Sequence, residues 1–587
     1  MQDMNLKIPY PFLVYDFVDR DGFSQKRVFS NPIEVISVNS VDEVHIALEQ
    51  VQQWVEKGYY AAGYLSYEAA PAFDAAFVVR PDHKMPLLWF GIFSETGTSI
   101  DFPRENRFEF SPWASDTTPD DYIRNVQAIK NAISQGETYQ VNYTIRLRSR
   151  WAGDDLGYYN YLRNVQQANY SAYLNIGRFR ILSVSPELFF RLDGRTITTR
   201  PMKGTIQRGR WLEEDEALAS WLFESEKNRA ENIMIVDLLR NDLSKIPGVT
   251  SVEVPQLFEI ERYPTLHQMT STITALACEN STFVDVLEAL FPCGSITGAP
   301  KISTMQIISE LERHPREIYC GTVGFIEPSG DAIFNVAIRS IYIDSETERA
   351  EYGVGGGITW DSTTEDEYAE AFAKAALLDT PNYSFELLET LKLNRGQYVL
   401  LNRHIERLAS SARFFNFPVD LDAVAVRLSE HASEFEGMSR RVRLIVSQTG
   451  AIHIESSDLP DLSHELQTVA VATRPVSKQN KFLYHKTTHR DVYQFHQNFH
   501  ADVFDVLLWN EDGQITEFTN GNIVLEIDDH KVTPSRGCGL LAGTFRAQLL
   551  DEGIIHEREL THSDLRRATL IWFINSVRGW VPVQFVK

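Results

Sequence analysis

Cysteine is scarce in this sequence: four in 587 residues, at Cys278, Cys293, Cys320 and Cys538. They show no CxxC spacing and no disulfide framework. No apolar run approaches the ~18–20 residues that a bilayer-crossing helix needs. The opening MQDMNLKIPYPFLVYDF lacks a basic segment followed by an apolar one, so no secretory signal is expected. Basic residues are also short, 56 Lys and Arg against 80 Asp and Glu, for a formal net charge of −24. Such a surface repels phosphate backbones and anionic lipid, which argues against nucleic acid and membranes as partners. Small anions stay open as substrates, because a few buried arginines outweigh a distant, diffuse field. The expected compartment is the reducing cytoplasm. Internal repeats and low-complexity linkers are missing too.

What is present is ordinary globular material. At 587 residues the chain is about four times a ~150-residue domain, so two or more cores are expected. Hydrophobic residues make up 43% and charged residues 23%, which excludes disorder. Strand patterns occur at 61–68 (AAGYLSYE) and along 179–200, the latter read as a hairpin turned at Asp193-Gly194. Helical spacing of apolar positions covers 120–135 and 214–243. A further helix is predicted over 363–379, capped by Thr363 or Thr364 and acidic in its first turn, at the positive end of the dipole. It ends near Asp379, with Pro381 as punctuation, and alternating strands resume at Ser384 with a turn at Asn394-Arg395-Gly396. The predicted class is α+β, with one domain at 1–380 and a smaller one at 381–587.

Four clusters in the first domain can carry chemistry. Ser185-Pro186-Glu187 precedes the hairpin and Pro201-Met202-Lys203-Gly204-Thr205 follows it, so Glu187 and Lys203 can meet as acid and nucleophile, or simply as a surface ion pair. Glu367 and Glu370 share a helical face, and Glu231 opens another helical stretch. Carboxylates so placed suit Mg2+, though acidic helix faces are often just solvated. The small-residue runs 293–301 (CGSITGAPK) and 353–357 (GVGGG) allow close backbone approach to an anion, or serve only as tight turns. They do not have the P-loop spacing.

Together these segments resemble the chorismate-using enzymes, a family that spans anthranilate synthase component I, aminodeoxychorismate synthase component I, isochorismate synthase and salicylate synthase. The resemblance is carried, in the family's order, by GETYQVNYT, SPELFFR, RPMKGTIQRG, ENIMIVDLLRNDLSKI, LHQMTSTI, GSITGAPK, YCGTVGF, FNVAIRSI and GVGGGITWDSTTEDEYAE. It implies a large α/β sandwich of the anthranilate-synthase type. Anthranilate synthases tend to carry alanine where this chain has Lys203, whereas a PxKGT lysine and GSITGAPK are typical of aminodeoxychorismate synthases. Water-using relatives carry a lysine base where this chain has Gln140, so hydration is disfavoured. By the same match Mg2+ would be clamped by Glu231 and Glu370, with Glu367 nearby, and would hold the ring carboxylate of chorismate. Arg339 and Tyr319 would take the other carboxylate. Gln140, Thr297, Gly355 and Gly356 complete the implied substrate site, with His267 near the ring. Glu187 would protonate the departing C4 hydroxyl, and Lys203 would add to the ring before ammonia enters. Asn228 departs from the pattern, since relatives often carry a second glutamate there. No cysteine elbow of glutaminase type is present, so a separate glutaminase subunit is the expected partner, with free ammonia as the fallback.

In the second domain, His485/His489 and His496/His500 have the i, i+4 spacing of helical zinc ligands, but the glutamate of HExxH is missing. The stretches FELLETLKL, NRHIERLASSARFFNFP, HKTTHR, DGQITEFTNGNIVLE and GLLAGTFRAQLL resemble the class IV, D-amino-acid-aminotransferase-like pyridoxal 5'-phosphate enzymes. That family includes aminodeoxychorismate lyase and branched-chain aminotransferases. The resemblance implies that Lys486 bonds the cofactor aldehyde and that Glu517 pairs with the pyridine nitrogen. Arg407 and the Gly543-Thr544 turn would hold the phosphate. Asn575 and Arg578 are candidates on the substrate side. The family's opening strand is shortened here to PNYSFELLET. Class IV relatives are often dimers, so a homodimer through this domain is expected by analogy. Two such modules on one chain imply a bifunctional enzyme of 4-aminobenzoate (folate) biosynthesis, a synthase followed by a lyase. An anthranilate synthase, or a general aminotransferase in the second half, are the rival expectations.

Overall fold

In the computed structural model, which describes residues 10–20, 22–100, 102, 108–379, 383–459, 465–500 and 502–586, the strand Phe12–Val18 shows how the first half is layered. Leu13, Tyr15 and Phe17 enter one apolar core and Val14 another, as the two-residue period of a strand requires. Burial on both faces demands a nearly continuous apolar run, and FLVYDFV supplies it. Two antiparallel sheets, each ten-stranded among the described residues, enclose the first of these cores. One places Gln140–Gly153 and Arg349–Ile358 side by side near its edge; the other places Met202–Gln207 beside Leu266–Leu276. Helices Pro119–Ser134, Asp155–Gln166, Lys301–Leu311 and Thr364–Ala375 cover the outer face of one sheet. Val41–Glu56, Glu226–Ser244 and Phe283–Leu290 cover the other. This is the α/β sandwich expected of the first domain.

The chain separates into two compact units, residues 1–207 with 219–382, and residues 208–218 with 383–587. The boundary expected at about residue 380 falls on 380–382, outside the described residues, as does most of the opening stretch tested for a signal. Residues 208–218, early in the sequence, belong with the second unit: Arg208 donates to the Phe414 carbonyl at 2.8 Å and Arg210 to the Tyr484 hydroxyl at 3.1 Å. The second unit has a four-stranded antiparallel sheet, Gln397–Tyr398, Leu387–Asn394, Ser439–Val446, Ile452–Asp458, packed by helices Leu401–Phe415 and Leu421–Ser433. Its second sheet has eight strands among the described residues and is mixed, with Gln467–Val471 parallel to both of its neighbours.

Some local expectations are corrected. The run 179–200 is three strands: Phe179–Ser185 pairs in one sheet, whereas Leu188–Asp193 and Thr196–Arg200 pair in the other. Pro186 offers no N–H, and the chain crosses between sheets there. The turn itself stands, with Gly194 at φ 56. The stretch 214–243 is two helices, Leu212–Glu224 and Glu226–Ser244, divided where Ser225 caps the second. Thr363 caps Thr364–Ala375, its hydroxyl accepting from the Asp366 amide at 3.2 Å, and the α-helix stops short of residue 379. Among the described residues no helix is long and apolar enough to cross a membrane.

Candidate active sites

The crossover after Ser185 puts Glu187 at the wall of a cavity of about 150 Å3, which Lys203, Glu231, Arg339, Glu367 and Glu370 also line. Glu187 is 3% exposed and accepts from the Ser295 hydroxyl at 2.6 Å. Burial pushes its carboxyl up to about 7, with Ser295 and then Lys203 opposing. Lys203 stands on the strand Met202–Gln207. Burial lowers the pKa of its ammonium, Glu231 opposing and Lys374 adding to the effect. An acid protonated near neutrality therefore faces an amine pushed toward its neutral form.

The strand Arg349–Ile358 floors this cavity, and its glycines make room for named groups. A Cβ on Gly353 would lie 2.2 Å from the Tyr319 ring, and one on Gly357 would lie 2.0 Å from Gln140 Nε2 and 3.0 Å from Lys203 Nζ. Gly356 faces Glu367 Oε2 at 3.2 Å and Lys374 Nζ at 3.5 Å in the same sense. Arg339 links Ala332–Val336 to Ser340–Asp344, one strand in each sheet, in a left-handed conformation at φ 51. Its Nη1 donates to the Lys374 carbonyl at 3.3 Å, and Tyr319 lines the cavity beside it.

The structure thus gathers Glu187, Lys203, Glu231, Tyr319, Arg339, Gly355, Gly356, Glu367 and Glu370, with Asn228, around one space. Gln140 lies beneath Gly357; its Oε1 is buried without a hydrogen-bond partner. Thr297 and His267 are buried and do not line the cavity: the Thr297 hydroxyl donates to the Cys293 and Gly294 carbonyls, and His267 pairs with Ile206 across the strands. Lys374 and Ser295 were missed. Lys374 could have been read from its i, i+4 spacing to Glu370, with which it pairs at 2.7 Å while donating to the Gly355 carbonyl at 2.9 Å. Burial raises the pKa of Glu231 and Glu367, the latter also through Glu370, while Lys374 lowers that of Glu370. Mutually repelling, hard oxygen donors suit Mg2+. Among the described residues, however, no three such groups converge on one point, and the Lys374 ammonium stands among them.

The second unit holds a cavity of about 320 Å3 lined by Arg407, Lys486, Glu517, Gly543 and Thr544. Burial pulls Lys486 down to about 7, Arg407 and Arg490 adding to the effect. Burial likewise pushes Glu517 up to about 8, against the Tyr493 hydroxyl, which donates to it at 2.8 Å. Thr544 opens the helix Thr544–Asp551, and a side chain on Gly543 would strike Asn522 Oδ1 at 2.2 Å. Arg407 is clamped from behind by Glu389, Nε to Oε1 at 2.8 Å and Nη2 to Oε2 at 2.7 Å. His404 joins Glu389 (2.6 Å) to the Thr544 hydroxyl (3.2 Å). Although burial opposes it, Arg407 and His404 hold Glu389 down at about 2. A nucleophilic amine, an acid across from it, and an arginine beside a helix N-terminus fit pyridoxal phosphate. Asn575 and Arg578 line the same space. The histidine pairs do not share helices: His485 lies past the turn Lys481–Leu483, packed against the Phe414 and Phe415 rings, and His500 follows the helix Asp491–Asn498.

Comparison with known proteins agrees with both halves. The model of the chorismate binding enzymes matches residues 16–379, and the chain belongs to that family. The class IV aminotransferase model matches residues 386–586, so the second unit carries that domain. Aminodeoxychorismate synthase component 1 of Escherichia coli is 39% identical over 272 residues, covering 46% of this chain and 60% of that protein. Anthranilate synthase component 1 of Methanothermobacter marburgensis is 36% identical, over 54% of this chain and 73% of that protein. The chain spans about three-fifths of the length of the synthase relatives it matches first. The menaquinone-specific isochorismate synthase MenF of Escherichia coli shares the fold of the first half, with a TM-score of 0.51 at 19% identity over 63% of this chain and 88% of that one.

Proposed function

We propose that the first unit converts chorismate to 4-amino-4-deoxychorismate with ammonia from a separate glutaminase subunit, and that the second removes pyruvate from that product to leave 4-aminobenzoate. The carrying observation is one chain with two buried acid–lysine sites, Glu187 with Lys203 and Glu517 with Lys486. Similarity to aminodeoxychorismate synthase component 1 supports the first half. The class IV domain supports the second.

The C4 hydroxyl of chorismate leaves poorly until protonated, and Glu187 gives its proton to that oxygen. The neutral Lys203 amine bonds to the ring as water departs; ammonia then bonds at C4 as the Lys203 amine leaves. Arg339 and Tyr319 orient one carboxylate. Mg2+ held by Glu231 and Glu370, with Glu367 beside them, would neutralise the other. In the second unit, bound pyridoxal phosphate supplies an electron sink. Glu517 would pair with its ring nitrogen, while Arg407, Gly543 and Thr544 would hold its phosphate. Lys486 takes the ring proton whose loss lets the C–O bond to the pyruvyl group break. A homodimer through this unit rests on analogy with class IV relatives. A cytoplasmic setting suits four free cysteines.

The test supplies full-length protein with chorismate, Mg2+, ammonium and pyridoxal phosphate, beside a Lys486→Ala sample, and follows products by chromatography. The expected result is 4-aminobenzoate and pyruvate from the wild type, and 4-amino-4-deoxychorismate alone from the variant. Anthranilate from the wild type would overturn the first assignment. Arrest of the wild type at 4-amino-4-deoxychorismate with cofactor bound would overturn the second.

A further inference from the structure

Residues 208–211 lie in the first half of the sequence, yet they belong to the compact second unit. Arg208 Nε donates to the Asp215 carboxylate at 2.6 Å, and the Gly209 amide donates to the same oxygen at 2.8 Å. Asp215 is 0% exposed, so a fully buried carboxylate fixes the backbone that leads into Arg210. The Arg210 side chain, paired with Glu214, donates to the Tyr484 hydroxyl at 3.1 Å and to the Gly537 carbonyl at 3.2 Å. Trp211 packs on Tyr484, with ring centres 5.1 Å apart. It lies against an apolar cluster that includes Tyr493, the hydroxyl donor to Glu517.

The contact that bears on chemistry is at His485, which immediately precedes Lys486. Its ring is buried against Phe414 and Phe415, with centres at 4.3 and 4.8 Å. Burial, with Arg536 adding to the effect, pulls its pKa down to about 3, so the ring is neutral and carries a single N–H. Nε2 lies 3.2 Å from the Arg210 carbonyl, which can only accept, so Nε2 holds the proton. Nδ1 is then the acceptor for the Ser411 hydroxyl at 3.0 Å. Ser411 stands one turn beyond Arg407 on the helix Leu401–Phe415, and so on the same face. His485 thereby joins the segment 208–211 to the helix that carries Arg407. On its other side Lys486 is pinned to the strand Leu387–Asn394, its carbonyl accepting from the Leu388 amide at 3.0 Å.

We infer that residues 208–211 are a positioning strap for Lys486, acting through the Arg210 carbonyl and His485, so that a segment from the first half of the sequence completes the second site. The inference rests on the reading of this unit as a pyridoxal phosphate enzyme. Lys486 must present a desolvated amine at one point, and a main chain free to turn would let it swing toward water. A ring held by two hydrogen bonds and two phenyl groups stops that turn. Neither the strap nor His485 lines the cavity, so their part is to position Lys486 and not to touch the cofactor.

The test uses the full chain and two readouts. One is pyridoxal phosphate affinity by absorbance titration. The other needs no cofactor: the pH midpoint of Lys486 acylation by acetic anhydride, read by peptide mass spectrometry, which should lie at about 7 in the wild type. His485→Leu can neither donate to Arg210 nor accept from Ser411, and Arg210→Met frees the strap from Tyr484 and Gly537. Each should lower cofactor affinity about tenfold, the scale of a lost hydrogen bond, and raise the midpoint by about one unit or more as Lys486 gains water. His485→Gln, whose amide both donates and accepts, should stay within about threefold of wild type. Glu216→Gln, which loses only a solvent-facing pair with Arg413, should change neither readout. Thermal unfolding identifies the folded variants, and Arg210→Met carries the test where His485→Leu does not fold. Wild-type affinity and midpoint in a folded His485→Leu or Arg210→Met protein would overturn the inference. So would a His485→Gln protein as impaired as His485→Leu, which would reduce His485 to a packing role. A midpoint that moves as stated in a protein that binds no pyridoxal phosphate sinks the cofactor reading and leaves the strap standing. Cofactor binding with an unmoved midpoint in every variant does the reverse.

Discussion

Replacing Ser295 by alanine should move the alkaline limit of chorismate amination to higher pH. The Ser295 hydroxyl donates to Glu187 at 2.6 Å inside a buried pocket and favours the ionised carboxylate. Glu187 must carry its proton to act as an acid, so the amination rate falls as pH rises through about 7. A hydrogen bond to a charged group contributes about 1.5–3 kcal/mol, and 1.36 kcal/mol corresponds to one pKa unit. Losing the bond destabilises the carboxylate, keeps the proton on Glu187 to higher pH, and displaces the falling limb upward by about 1–2 pH units. The assay is initial chorismate consumption with saturating ammonium and Mg2+ from pH 5.5 to 10, with thermal unfolding of each variant as the control for folding. Glu187→Gln should abolish consumption at every pH. A limb that stays in place in a folded Ser295→Ala protein, or that moves downward, would refute the assignment of Glu187 as the acid.

Other consequences are as direct. Lys374→Met removes a cation that stands among the metal-site carboxylates, so substrate-free protein should bind Mn2+ about fivefold more tightly by paramagnetic resonance, the equivalent of ~1 kcal/mol for a partly exposed pair. Unchanged or weaker binding would count against Glu370 as a ligand. Glu389→Gln uncouples Arg407 and His404, and pyridoxal phosphate affinity should drop about tenfold or more by absorbance titration. The Glu389 carboxyl is held at about 2, below its ordinary 4.5, so its contribution to stability is complete above pH ~4.5 and is lost as pH falls toward 2. Its size is about 3 kcal/mol, and acid-unfolding curves of the glutamine variant should lack that component. Gly355→Ala sets a Cβ 2.1 Å from the Tyr143 carbonyl, which is backbone and cannot step aside. The first unit should lose folded structure in that variant while cofactor absorbance in the second survives.

Much of this was legible in the sequence because the reacting residues sit in short runs with spacing of their own. Glu367 and Glu370, three apart on a helix capped by Thr363, were bound to share a face. The GVGGG run signalled close approach before its neighbours were known, and the structure names them as Tyr319, Gln140, Lys203, Glu367 and Lys374. The hairpin read across 179–200 failed at Pro186, because alternating apolar residues look alike whichever sheet they join. Thr297 and His267, drawn into the site by motif, lie buried behind it.

By itself the sequence determined the local pieces: caps, turns, helical faces, and the identity of the lysines and carboxylates that can do chemistry. Only the tertiary structure decided which of them are buried together. Burial sets the Glu187 carboxyl at about 7 and Lys486 at about 7, and no spacing in the chain encodes that desolvation. The same holds for partners far apart in sequence. Ser295 reaches Glu187, Glu389 clamps Arg407, and residues 208–218 join the second unit. Each of these arises from long-range packing, which brings together groups that share no local pattern.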